Sequence, residues 1–315
     1  MKHTAIILVS ESSLPLARRV AGDISFREHF SASETKCQSE AERNDKPAQR
    51  SAVIYTKNEV PGCTAIGPYA PFLKEHWPEF EAVIFIGAMG ICVRSIAPVL
   101  KNKYQDPPVV CIDSSGKFVI PVISGHVGGA NDLARRLAAL LGATPVVTTQ
   151  SDNEGLWALD VLDRCMGWQL DPVTPAQMNR AIFAFVEKQP TALLLEVRDP
   201  GTDYLERTCP PHVKIFYRRE DLDLSGFDLL IAVTPRLLPE LSDELPVLTF
   251  RPPVLHLGFG CRKQCNPGGI PAYIEAQLRE HGLSEKALSS VGTIELKKDE
   301  PLLRALLERW PWVKE

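Results

Sequence analysis

Residues 124–132 read Ser-Gly-His-Val-Gly-Gly-Ala-Asn-Asp and combine residue types that can carry acid–base chemistry. The imidazole of His126 titrates near neutral pH, so we interpret it as a candidate general base. Ser124 is a candidate hydrogen-bond donor and a less favoured nucleophile. The backbone N–H groups of Gly128 and Gly129 are candidate donors to an oxyanion. A glycine-rich helix N-cap around a structural histidine would give the same pattern.

Glycines also mark another position where a predicted strand passes into a helix. The run Gly87-Ala88-Met89-Gly90 would let backbone approach a ligand, and the helix that follows presents free N–H groups to an anion. Arg94, one helical turn further on, could clamp a carboxylate. The pattern predicts Gly87, Gly90 and Arg94 as substrate contacts. A tight turn beside a surface arginine is the alternative.

Further predicted substrate contacts lie within the histidine motif, at the end of the strand that follows it, and at a strand end near the C-terminus. They are Asn131, Thr148, Thr149, Gly258, Gly260 and Arg262. The two threonine hydroxyls could line the same crevice as the histidine motif, or belong to an exit turn. The C-terminal glycines and arginine would suit a carboxylate-rich substrate, or form a flexible basic turn.

The elements that would position these residues follow a repeated strand, turn and helix order. Residues 5–9 predict a buried first strand, residues 109–113 and 118–123 predict a hairpin, and residues 130–141 predict a helix. Strands that alternate with helices predict an α/β fold with largely parallel sheets. Ligands bind such sheets at the carboxyl ends of the strands, where we expect the histidine motif to lie.

We expect three consecutive α/β units, at residues 1–150, 151–250 and 254–315, with a linker at residues 251–253. The first unit holds the histidine motif and a polar insertion at residues 31–50, which is predicted to be flexible. The last unit is small for a core of its own and is interpreted as incomplete.

Shorter patterns complete the assignment of helices and strands. Residues 156–166 and 176–188 predict helices, and the second follows Thr174-Pro175, an N-cap and a proline at the first helical position. Residues 145–149 and 292–296 predict strands.

Composition excludes several classes of protein. The chain has 315 residues, of which 44% are hydrophobic, and a net charge of −4, so a surface that binds nucleic acid is not expected. No apolar run is long enough for a signal peptide or a membrane span, so we expect a cytoplasmic protein. Its eight cysteines are predicted to be thiols, and Cys261 and Cys265 lack the further ligands of a zinc site, so no metal site is expected.

Several stretches together resemble the CbiG family of cobalamin biosynthesis. The most specific is the pattern Ser-Gly-His-x-Gly-Gly-Ala-Asn-x-Leu at residues 124–133, which residues 141–149 continue. Residues 87–98 resemble the family's small-residue turn and its helix with Arg, Ile and Ala-Pro. Residues 256–263 are similar to the start of the family's CobE-like C-terminal domain. The resemblance covers residues 82–315, with the C-terminal domain shortened.

The resemblance implies hydrolysis of cobalt-precorrin-5A, in which water opens a δ-lactone on the macrocycle and a two-carbon fragment leaves as acetaldehyde. Cobalt belongs to the substrate, so no cofactor is expected. The implied partner is the cobalt-corrinoid substrate, with neighbouring enzymes of the pathway as further candidates, and neither nucleic acid nor a membrane. Two other classes stay open: a non-catalytic tetrapyrrole-binding accessory protein, and a nucleotide-binding α/β protein, which the lack of a phosphate-loop motif disfavours.

Overall fold

The computed structural model describes residues 2–26, 51–239 and 244–314. The insertion predicted at residues 31–50 lies outside the described residues. The chain divides into two compact units, Met1–Val161 and Leu162–Glu315. The three unit boundaries expected from the sequence stay predictions.

The first unit is built on a seven-stranded sheet with helices on both faces. Its strands are β1 (His3–Leu8), β2 (Ala52–Thr56), β3 (Thr64–Ala65), β4 (Phe80–Ile86), β5 (Val109–Ile112), β6 (Phe118–Ile123) and β7 (Thr144–Pro145). Its helices are α1 (Leu14–Phe26), α2 (Tyr69–His76), α3 (Met89–Ile96), α4 (Ala130–Leu141) and α5 (Gln150–Glu154). The strand order is β3-β2-β1-β4-β5-β6-β7. Helices α1 and α4 pack on one face of the sheet, and α2 and α3 pack on the other.

The pairing of β5 with β6 reverses the chain direction within this sheet. Strands β1 to β5 run parallel to their neighbours, whereas β6 pairs antiparallel with β5, with Val109 opposite Ile123. The predicted hairpin is therefore confirmed. The carboxyl end of β6 lies beside the start of β5, so Ser124 and Gly87 lie at opposite edges of the sheet. The histidine motif is thus not at the carboxyl ends of the parallel strands, which corrects that expectation.

The second unit contains two sheets. Its elements are α6 (Leu162–Met166), β8 (Gln169–Leu170), α7 (Pro175–Val186), β9 (Thr191–Leu195), α8 (Pro200–Arg207), β10 (Val213–Phe216), β11 (Leu229–Val233), β12 (Val247–Arg251), β13 (Leu255–Gly258), α9 (Ile270–Glu280), β14 (Leu288–Gly292) and α10 (Pro301–Arg309). A five-stranded sheet has the order β10-β9-β11-β12-β8, and β13 pairs with β14 in a parallel two-stranded sheet. The α/β fold with mostly parallel sheets and a small third sheet is confirmed.

The C-terminal segment packs more firmly than its length predicts. Trp310 is fully buried in a cluster with Leu288, Val291 and Leu306. Backbone bonds from Leu237 to Gly282 and from Ser284 to the carbonyl of Pro235 tie this segment to the five-stranded sheet. This segment therefore shares one compact unit with the central sheet.

Four local assignments can be compared with the structure. Helix α7 follows the predicted cap, because Thr174 and Gln177 form a reciprocal capping box. Of the helix predicted at residues 156–166 only residues 162–166 form, as α6, because turn bonds such as that from Val161 to the carbonyl of Ala158 replace the helix before it. Of the strand predicted at residues 145–149 only residue 145 lies in β7. The strand predicted at 292–296 is also wrong, since β14 ends at Gly292.

The described helices are shorter than the roughly 20 residues that usually span a bilayer. None of those within residues 2–26, 51–239 and 244–314 combines the length and apolar character needed to span one.

Candidate functional site

His126 lies on a tight loop between β6 and α4. The carbonyl of Ser124 accepts hydrogen bonds from the N–H groups of Gly128 and Ala130, each at 3.1 Å, and the carbonyl of His126 accepts from Gly129 at 3.1 Å. The N–H groups of Gly128 and Gly129 are therefore used inside the loop. This geometry does not support the interpretation of these two groups as oxyanion donors.

Ser124 holds the loop to a neighbouring segment. Its backbone is left-handed, with a φ of 57°, and its side chain is buried. Its hydroxyl donates to the backbone carbonyl of Asp106 at 3.0 Å, and the carboxylate of Asp106 in turn accepts from the indole of Trp77. A serine nucleophile needs a base at its hydroxyl. The observed contact gives Ser124 a structural role in place of that one.

Gly128 leaves no room for a side chain. A Cβ atom there would lie 2.6 Å from the Cβ of Ser124 and 2.8 Å from its carbonyl oxygen. We expect Gly128→Ala to lower the free energy of unfolding by about 1–3 kcal/mol, as overpacking does. Urea unfolding measures the change. Gly22→Ala in α1 is the matched control: a Cβ there meets nothing within 4 Å, so a gain of about 0.5–1 kcal/mol is expected. Equal losses in the two variants would contradict the steric argument.

The ring of His126 is held at Nε2 by Asp152. This nitrogen donates to Oδ2 of Asp152 at 2.6 Å, and the His126 side chain is 20% exposed. Asp152 lies in α5, and Thr149 is the N-cap residue of that helix. Because Nε2 is bound in this way, Nδ1 is the ring nitrogen left to exchange protons with a ligand.

The carboxylate of Asp152 is saturated with donors. Its Oδ2 also accepts from the amide of Asn131 at 2.8 Å and from the hydroxyl of Thr149 at 2.5 Å, and its Oδ1 accepts from Arg135. Such a carboxylate is an anchor that fixes the orientation of the imidazole. Asn131 and Thr149, both predicted as substrate contacts, instead support this anchor.

A second carboxylate faces the other ring nitrogen. Oδ1 of Asp160 lies 3.9 Å from Nδ1 of His126, and Oδ2 of Asp160 accepts from Nζ of Lys103 at 3.1 Å. Positive and negative groups therefore alternate along the row Arg135, Asp152, His126, Asp160 and Lys103.

This row of charges shifts two pKa values in opposite directions. Burial alone would lower the pKa of His126, but the hydrogen bond and charge of Asp152, with the charges of Asp160 and Asp132, raise it above its ordinary value. Burial alone would raise the pKa of Asp152, but hydrogen bonds from His126, Thr149 and Arg135 hold it well below its usual range. His126 is thus suited to donate a proton near neutral pH.

The structure separates several residues that the sequence predicted as substrate contacts. Gly87 is buried against Val9 and lies at the other edge of the sheet. Gly90 and Thr148 are exposed. Arg94 is exposed in the last turn of α3, and its side chain makes no hydrogen bond or ion pair with the described residues. Helix α3 returns the chain toward the start of β5, so Arg94 lies nearer the edge with His126 than Gly90 does.

The remaining predicted contacts belong to the second unit. Gly258 ends β13, and Gly260 and Arg262 follow it as exposed residues. They are not part of the His126 cluster, which lies within the first unit.

Sequence reasoning missed most of the partners of His126. Asp152 follows the predicted threonines and could have been found from that position. Only the tertiary fold brings the segments that carry Asp160 and Lys103 to the histidine. Within the part of the chain that the structure describes, no group of three or more His, Cys, Asp or Glu residues could hold a metal ion.

The fold and the site together define an α/β protein in which a histidine lies between two carboxylates. The chain matches three consecutive family models: cobalamin synthesis G N-terminal at residues 71–152, cobalamin biosynthesis central region at residues 157–252, and cobalamin synthesis G C-terminus at residues 255–314. Together these matches cover more than half of the chain. The protein belongs to the CbiG family, as the motif at residues 124–133 predicted.

Two relatives are similar over most of the chain. A cobalt-precorrin-5A hydrolase of Priestia megaterium is 33% identical over 251 residues, which cover 78% of this chain and 66% of that protein. A cobalt-precorrin-5A hydrolase of Salmonella typhimurium is 35% identical over 237 residues, which cover 75% and 65%. The chain thus spans just under two thirds of the length of these relatives.

A solved structure is also similar. The cobalamin biosynthesis protein G homologue from Sulfolobus solfataricus matches 99% of this chain and 79% of its own, with a TM-score of 0.42 and 18% identity.

Proposed function

We propose that this protein is a cobalt-precorrin-5A hydrolase, which opens the δ-lactone of the cobalt-corrinoid and releases acetaldehyde. The observation that carries the proposal is His126 held between Asp152 and Asp160, at 2.6 Å and 3.9 Å, within the family's most specific motif. The names of the two relatives support it, since both are cobalt-precorrin-5A hydrolases.

The reaction needs a proton donor, and His126 suits that role. Opening the lactone breaks a carbon–oxygen bond and leaves an alkoxide, and loss of the aldehyde leaves electrons on a ring carbon. Each requires a proton from a nearby acid. Nδ1 of His126 can supply it, because Asp152 fixes Nε2 and favours the charged ring.

The substrate is a macrocycle edged with acetate and propionate carboxylates, so we expect cationic side chains to bind these carboxylates. Arg94 and Lys103 carry positive charge in the first unit. We assign the cobalt to the substrate and propose no further cofactor. We also expect a cytoplasmic protein that exchanges intermediates with neighbouring enzymes of the pathway.

Turnover of the lactone intermediate tests this function directly. Purified protein is mixed with the intermediate, acetaldehyde is quantified enzymatically, and the mass of the corrinoid is followed. Stoichiometric aldehyde with a ring-opened product is expected. Binding of the corrinoid without release of aldehyde would overturn the proposal and favour a tetrapyrrole-binding accessory protein.

Arg94→Ala is expected to raise KM with little change in kcat. Losing a charge-assisted contact to a substrate carboxylate costs about 1.5–3 kcal/mol, or roughly 10- to 100-fold in affinity. Steady-state kinetics measure the split, and Arg207→Ala, an exposed arginine in the last turn of α8, is the matched control. A collapsed kcat at constant KM would instead place Arg94 at the reacting centre.

A further inference from the structure

Asp160 differs from Asp152 in how its two oxygens are used. Both oxygens of Asp152 are occupied by side chains that hold His126 in place. Asp160 binds Lys103 through Oδ2, and its Oδ1 faces Nδ1 of His126 at 3.9 Å. Among the described residues, no hydrogen bond occupies Oδ1 of Asp160, so this oxygen can bind a ligand on the side of the imidazole from which proton transfer must occur.

The distance of 3.9 Å between Asp160 Oδ1 and His126 Nδ1 fits one reacting oxygen atom. It is too long for a direct hydrogen bond. An oxygen that makes hydrogen bonds of about 2.8 Å to both atoms would join them at an angle of roughly 90°. That angle is close to the angle at a water oxygen between its two hydrogen-bond partners. A water here would have an acceptor on one side and a donor on the other.

The surroundings keep this carboxylate in place. The side chain of Asp160 is only 8% exposed, and its ion pair with Lys103 spans segments far apart in sequence. Lys103 belongs to the loop whose Asp106 carbonyl accepts from Ser124. The histidine loop and the lysine loop are thus tied together, which holds donor and acceptor at a set spacing.

We propose that Asp160 is the general base of the site, and that it takes the proton from the water that attacks the lactone carbonyl. The proposal rests on the lactone opening proposed above and adds a second catalytic residue to it. His126 is the matching acid.

The proton transfers in this step balance. As the water oxygen bonds to the carbonyl carbon, one O–H bond breaks and its proton moves to Oδ1 of Asp160. The ester C–O bond then breaks, its electron pair goes to the alcohol oxygen, and Nδ1 of His126 gives that oxygen a proton. The products are an acid and an alcohol. Asp160 then returns its proton to Nδ1 through a water, which restores both groups.

Three variants test the role of Asp160. Asp160→Asn keeps the shape of the side chain and removes the base, so the rate of acetaldehyde release should fall by about 10²–10⁴. Binding of the corrinoid, followed by its absorbance, should stay within a few-fold. Asp160→Ala should be equally slow, and added formate should restore part of its rate by supplying a carboxylate. Glu79→Gln is the matched control, because Glu79 also pairs with a histidine, His76, at 3.1 Å.

The outcomes separate the two proposals. No acetaldehyde from the wild-type protein would overturn the proposed function, and the role of Asp160 with it. An active wild type with Asp160→Asn within about three-fold of its rate would leave the function standing and overturn the role of the base. Loss of corrinoid binding in Asp160→Asn would also overturn it, since Asp160 would then hold the substrate. Slow variants that bind normally, with rescue by formate, would support it.

Discussion

His126→Ala is expected to lower the rate of acetaldehyde release by about 10²–10⁴ while leaving the fold intact. The substitution removes the proton donor, and the loop keeps its form because backbone bonds among Ser124, Gly128 and Ala130 hold it. Single-turnover assays with the lactone intermediate measure the loss. His76→Ala is the control, since His76 also pairs with a carboxylate but lies outside the cluster.

The pH dependence of the rate gives the same prediction a second readout. Burial lowers the pKa of His126, but the hydrogen bond to Asp152 and the charges of Asp152, Asp160 and Asp132 raise it overall. A rate that needs the protonated ring should therefore hold through neutral pH and fall as the pH rises through the raised pKa. Asp152→Asn should move this fall to lower pH. Wild-type turnover by His126→Ala, or a fall that Asp152→Asn does not move, would remove His126 from this role.

Arg251→Met is expected to lower the free energy of unfolding by about 1–3 kcal/mol, because it removes a buried guanidinium and leaves its hydrogen-bond acceptors unsatisfied. The Arg251 side chain is 2% exposed. Its guanidinium donates to Asp171 at 2.6 Å and to the backbone carbonyls of Thr234 and Arg236 at 3.0 and 2.5 Å. Methionine fills a similar volume but leaves these acceptors without their donor.

Asp171 also connects its ion pair with Arg251 to a second cation of the same unit. Its other oxygen lies 3.5 Å from Nζ of Lys286, which also donates to the carbonyl of Leu170. The pair therefore links the five-stranded sheet to the segment that carries β14. We expect Arg251→Met to make that segment more sensitive to protease as well as less stable.

Arg218→Met provides the contrast for this measurement. Arg218 pairs with Glu220 at 3.7 Å, and both side chains are more than 70% exposed. A surface pair of this kind contributes about 0–1 kcal/mol. Urea unfolding of the two variants compares them directly. An Arg251→Met variant as stable as Arg218→Met would show that the guanidinium is not needed to join the two sheets.

The linker predicted at residues 251–253 stays a prediction, but the local pattern there did not reveal the role of Arg251. Arg251 ends β12, is buried, and binds partners from two other segments, Asp171 in one and Thr234 and Arg236 in the other. The strand predicted at residues 292–296 fails for a related reason. Leu296 is exposed, and β14 is set by its pairing with β13 at Leu288 to Gly292. A two-stranded pairing chosen by a distant partner leaves little local signal.

The sequence by itself determined the α/β class, the hairpin of β5 and β6, helix α7 with its capping box, and the family. Each of these depends on a hydrophobic periodicity, a turn sequence, a helix cap or a motif, all of which are formed by residues close together in the sequence. It also pointed to His126, because a histidine among glycines at a strand end is unusual on its own. Only the tertiary structure decided which edge of the sheet holds that histidine, since β6 runs against its neighbour. The tertiary structure also identified Asp160 and Lys103 as members of the His126 cluster. Carboxylates and lysines are common on any surface, and only the tertiary structure places Asp160 3.9 Å from Nδ1 of His126 and pairs it with Lys103.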